Sequence, residues 1–123
     1  APIDVRLPVG KQGNTFKTVV QPDLCVICDK SKIVTQGIIG APDLVVEILS
    51  PSNRQIEMYE KFEAYQASLV REYWIIHPGE QWMLQYVLSE NNLFVLHKKH
   101  ENLSCLESVI FPGLSVDVAT YKP

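Results

Sequence analysis

The chain has 123 residues, with 46% hydrophobic and 20% charged side chains, an ordinary globular balance that excludes disordered, collagen-like and coiled-coil architectures. Eleven Lys+Arg against fourteen Asp+Glu leave a net charge of −3, which excludes a protein that simply coats nucleic acid but not one with a local basic groove. The length suits one compact domain over residues 1–123, and apolar runs such as Leu44–Leu49 fall far short of the ~20 residues of a membrane-spanning helix.

Three cysteines are an odd number for a disulfide framework. With no signal-peptide pattern beside them, they point to a reducing cytoplasm. The chain runs from Ala1-Pro2 straight into strand-forming residues, an abrupt opening. It predicts a domain whose N-terminal helix is missing, with apolar surface left uncovered or met by a second subunit in a homo-oligomer.

In chain order, Ile3–Leu7 is a candidate strand closed by Pro8 and a turn over Gly10–Asn14. Val19–Cys28 reads as one longer strand, with Pro22 marking its entry or an edge. A polar turn at Asp29–Lys32 and a short apolar run, Ile33–Thr35, follow, and Gly37, Gly40 and Pro42 then punctuate a loop. Asp43–Leu49 is apolar on both parities except at Glu47, the pattern of a strand covered on both faces. Ser50–Asn53 offers an N-cap, and the three-to-four spacing of apolar residues predicts one long helix over 54–67. Glu72–His77, Trp82–Leu88 and Leu93–His97 read as strands, the last two joined by a turn at Ser89–Asn92. Leu106–Phe111 and Leu114–Val118 complete an α/β chain with a predominantly β second half.

Glu47 is the most informative residue, because an ionised carboxylate inside Leu44-Val-Val-Glu-Ile-Leu49 costs several kcal/mol unless something pairs with it. Either an edge strand turns it to water, or it is kept at the sheet's end as a metal ligand or base; a strand without a wet face favours the second. Two Pro-Asp-Leu tripeptides could supply a partner. Asp43 lies four residues from Glu47, roughly 13 Å along an extended chain, too far to share one ion. Asp23 belongs to a different strand, and neighbouring strands lie ~4.8 Å apart, so Asp23 with Glu47 is the possible pair. Taken alone, Asp23 reads equally well as a turn aspartate after proline. Glu57, Lys61 and Tyr65 share one helix face, where a solvated Glu57–Lys61 pair is the simpler reading and an ammonium near a phosphate the alternative. Cys25-x-x-Cys28 reads as buried thiols rather than zinc ligands, His97–His100 as a solvated basic strand end with phosphate contact as the alternative, and Tyr73-Trp74 as core.

Taken in order, Gln21-Pro-Asp-Leu24, Gly40-Ala-Pro-Asp-Leu-Val-Val-Glu-Ile-Leu-Ser-Pro-Ser-Asn53, Lys61-x-x-x-Tyr65 and Arg71-Glu-Tyr-Trp-Ile-Ile76 resemble a restriction-endonuclease family abundant in cyanobacteria. That family belongs to the PD-(D/E)XK nuclease superfamily. The resemblance implies a restriction-endonuclease-like fold, a central mixed β-sheet with flanking helix, that cleaves DNA phosphodiester bonds. It implies Asp23, Glu47 and Lys61 as catalytic residues, and Mg²⁺ or Mn²⁺ held by Asp23, Glu47 and the backbone carbonyl of Ile48. Two positions depart from the pattern. Leu49 stands where the superfamily carries lysine, a role Lys61 would take over, and His77 stands where the family has aspartate. A second reading keeps the fold without catalysis, as a module that binds nucleic acid or another protein.

Overall fold

A computed structural model of the chain describes residues 3–8 and 18–117. Its strands are β1 (Val5–Leu7), β2 (Thr18–Val20), β3 (Leu24–Val26), β4 (Ile33–Val34), β5 (Gly37–Ile39), β6 (Leu44–Ile48), β7 (Glu72–His77), β8 (Trp82–Leu88), β9 (Phe94–His100), β10 (Cys105–Glu107) and β11 (Ser115–Asp117). The helix α1 (Gln55–Ala67) joins β6 to β7. The main sheet has the order β3-β6-β7-β8-β9, and a smaller one the order β2-β1-β5-β4; β10 and β11 form a hairpin. In the main sheet only β6 and β7 run parallel, which is why a helix is needed between them. Among the described residues, no helix is long and apolar enough to cross a membrane.

The doubly apolar strand β6 is explained by what covers it. One parity, Val45 with Tyr73 and Ile75 of β7, packs against Tyr65 of α1 and against Val5, Leu7, Val20 and Ile38 of the small sheet. The other parity, Leu44 and Val46 with Trp74, Ile76 and Met83, packs beneath the tail through Leu103, Leu106, Phe111, Leu114 and Val116. The main sheet is thus the middle layer, and β6 is buried from Leu44 through Glu47.

The tail is fastened by a group that sequence reading passed over. Glu72, fully buried, accepts hydrogen bonds from Trp74 Nε1 (2.6 Å), Gln85 Nε2 (2.8 Å), Ser108 Oγ (2.7 Å) and the backbone N–H groups of Val109 (3.0 Å) and Ile110 (3.1 Å). Burial alone would raise its pKa, but these bonds outweigh that effect and hold the carboxyl below its ordinary value.

Several expectations are corrected. The single strand over Val19–Cys28 is two strands in different sheets, because Pro22 fixes φ and donates no N–H, so the chain turns at Gln21–Asp23. The loop expected at Gly37 is strand β5, parallel to β1; Gly37 sits at φ +133°, and a Cβ there would run into the Asp4 carbonyl. The helix is capped by Arg54 without a side-chain bond, while Asn53 Oδ1 instead accepts the Ser50 N–H at 2.6 Å and closes the preceding turn. Tail strands are shorter than expected, three residues each. The Gly10–Asn14 turn and the expectation about an N-terminal helix fall outside the described residues.

Candidate active site

At the end of β6 the main sheet brings Asp23 and Glu47 together. β3 pairs antiparallel with β6, Leu24 opposite Val46, so one further step sets Asp23 opposite Glu47 and the next sets Pro22 opposite Ile48. The Ile48 N–H donates to Asp23 Oδ2 at 2.7 Å, so the aspartate side chain stands in for a ladder acceptor. In an extended residue the carbonyl points to the same side as the N–H, here towards Asp23. Proline has no N–H to give it. The Pro-Asp pair therefore does two things: it turns the chain into β3 and leaves a carbonyl beside two carboxylates.

Glu47 is an interior-strand residue with only 5% exposure, which removes the wet-edge reading. Its Oε2 accepts the Tyr65 hydroxyl at 2.6 Å and lies 3.6 Å from Lys61 Nζ. Burial pushes the Glu47 pKa up; Tyr65 and Lys61 pull it down and Asp23 pushes it up again, leaving it above its ordinary value. Burial and the Glu47 carboxylate in turn hold the Tyr65 hydroxyl protonated well beyond the usual tyrosine range. The solvated Glu57–Lys61 pair does not form: Glu57 turns to Arg54 at 2.9 Å, and Lys61 turns to Glu47. Met58, Lys61 and Tyr65 follow i, i+3, i+7 and so face the sheet together. A cavity of about 280 Å³ opens here, lined by Gln21, Asp23, Glu47, Ile48, Ser50, Asn53 and Lys61 among others.

Other sequence candidates lie away from this point. Asp43 accepts the Cys28 N–H at 2.8 Å and pairs with Arg71 at 3.2 Å, joining the loop before β6 to the start of β7. Cys25 is half-buried and Cys28 exposed, and both are free thiols. Tyr65 is the site residue whose role sequence reasoning missed; its place on the Lys61 face was visible, but its hydroxyl bond to Glu47 depends on a contact 18 residues away.

Among the described residues no group of three or more His, Cys, Asp or Glu side chains could hold a metal. The donors at hand are two carboxylates and a backbone carbonyl, all oxygen. That set fits Mg²⁺, which keeps several waters and takes one or two carboxylates, better than zinc, whose sites are built mainly on cysteine and histidine.

The fold is that of a mixed α/β protein, mostly strands with one helix. A structure described as a putative nuclease belonging to DUF820, from Anabaena variabilis ATCC 29413, shares the fold with a TM-score of 0.64 at 19% identity. The match covers 94% of this chain but 62% of that one, so the chain spans under two thirds of its relative's length. No curated protein matches. The Uma2 family, described as "putative restriction endonuclease", matches residues 6–119, and the chain belongs to it.

Proposed function

We propose that this protein is a metal-dependent endonuclease hydrolysing DNA phosphodiester bonds in the cytoplasm, with Asp23, Glu47 and the Ile48 carbonyl as ligands for Mg²⁺ or Mn²⁺. The observation that carries the reading is the buried Glu47, placed opposite Asp23 at a strand end and paired with a lysine. When bound, the ion would lower the pKa of a coordinated water and neutralise charge on the scissile phosphate. Tyr65 fixes one oxygen of Glu47 and thereby orients the other. Asp23 is held in place by the Ile48 N–H. Lys61, about one third exposed, reaches the cavity from α1 and stabilises negative charge developing on the phosphate. Supplying that lysine from the helix accounts for Leu49 just past the end of β6.

The binding-module reading draws support from the same Leu49, since a lysine two residues after Glu47 is what the superfamily pattern requires. A plasmid assay separates the two. The protein should convert supercoiled plasmid to open-circular form with Mg²⁺, and not in EDTA or as the Asp23→Ala variant. Plasmid binding without any nicking in Mg²⁺ or Mn²⁺ would favour the module.

A further inference from the structure

The register of the main sheet runs a single row of side chains from the candidate site to the opposite edge. Glu47 pairs with Ile75, Ile75 with Leu84, and Leu84 with Lys99, so all four lie on the α1 face. Three strand spacings of ~4.8 Å separate Glu47 from Lys99, about 14 Å. One step nearer the sheet's end, His77 pairs with Trp82 on the same face. Lys99 is not a loose surface lysine. Its ammonium sits 5.8 Å from the centre of the Trp82 ring, which is held by the His77 ring at 5.1 Å and by an indole bond to Glu80 at 2.9 Å. The remaining charge partner is Glu101 at 3.8 Å, a pair in which both side chains are about half or more exposed. Such a pair is weak and screened by salt, so a phosphate can replace it.

We infer that Lys99, held over Trp82, is an outlying phosphate contact for a DNA strand that runs past Asp23 and Glu47. Trp82 is a positioning residue for that contact. The inference rests on the nucleic-acid part of the proposed function and not on its chemistry. The adjacent Lys98 supplies an internal control: it pairs with Gln85, whose side chain bonds to Glu72 on the tail face, so it carries the same charge to the opposite side of the sheet.

Fluorescence anisotropy of labelled DNA in EDTA tests this over a salt series, with single-stranded and duplex arms to show which form supplies the phosphate. Lys99→Ala should weaken binding roughly fivefold at low salt and flatten the plot of log affinity against log salt by nearly one unit. Lys98→Ala should leave both unchanged, Lys99→Arg should restore binding, and Trp82→Ala should weaken it. Trp74 is fully buried against Glu72, so a change in tryptophan fluorescence on DNA addition should report Trp82 and vanish in Trp82→Phe. Equal losses from Lys98→Ala and Lys99→Ala, no loss from Lys99→Ala, or no DNA binding by the unmodified protein would overturn the inference. Lys99-dependent binding in a protein that cuts no plasmid would uphold it while the nuclease reading failed.

Discussion

Replacing Glu72 with alanine is expected to destabilise the protein by about 4 kcal/mol and lower its Tm by roughly 15 °C. Five donors converge on that carboxylate, and among them the indole of Trp74 and the amide of Gln85 belong to buried residues. Each buried donor left without an acceptor costs ~1–3 kcal/mol, although solvent reaches some of them when the tail loosens. The loss should be felt first by the tail, because Ser108, Val109 and Ile110 reach the sheet through Glu72. Hydrogen exchange should show these amides and those of β10 and β11 opening before the main sheet does. The effect has a definite pH dependence. Hydrogen bonding holds the folded pKa of Glu72 below its unfolded value, so the unfolded state binds more protons between the two. The contribution is fully present above the unfolded glutamate pKa of ~4.3 and is lost as pH falls through the folded value. Urea titrations of wild type and Glu72→Gln should therefore differ most near neutrality and converge in acid. A constant difference across that range would contradict the assignment.

Glu47→Gln is expected to do the reverse. Cleavage should fall by roughly 10³-fold, the several kcal/mol that a ligand to the ion represents, while the metal-free fold becomes more stable near neutral pH. The sign follows from the direction of its shift. Burial holds the folded pKa of Glu47 above the unfolded one, so the folded state binds more protons between them. Its contribution is greatest below the unfolded pKa and falls as pH rises through the folded value. A neutral amide escapes that loss and can still accept the Tyr65 hydroxyl bond. Thermal melts in EDTA should show the variant gaining on wild type from acid towards neutral pH. A variant that unfolds more readily at pH 7, or cuts as fast as wild type, would refute this account. A site that weakens the fold it sits in is the usual mark of function.

The difference between these two glutamates shows how much the sequence could tell. Both are buried carboxylates in apolar strands, and Glu47 stood out because charge inside a run apolar on both parities has no cheap explanation. Glu72 opens its strand, where a charged residue is ordinary, and its donors come from residues up to 38 positions away. The Asp23–Glu47 pairing was readable because strand spacing alone excludes Asp43. Lys61 was ambiguous, since a helical i, i+4 pair with Glu57 looks as good on paper as a reach across to β6. Tertiary placement decided it, through Arg54 taking Glu57. The small sheet was the least visible part. Its strands are two or three residues long, too short for periodicity to show, and Gly37 signals a turn wherever local chemistry is the only guide.

The measurement that bears most directly on the central claim is a crystal structure of the protein soaked in Mn²⁺, read by anomalous scattering. The account predicts one strong peak between the Asp23 and Glu47 carboxylates, at ligand distance from the Ile48 carbonyl oxygen and absent from Asp23→Ala crystals. A peak that ignores either carboxylate, or no peak between them at saturating Mn²⁺, would contradict it.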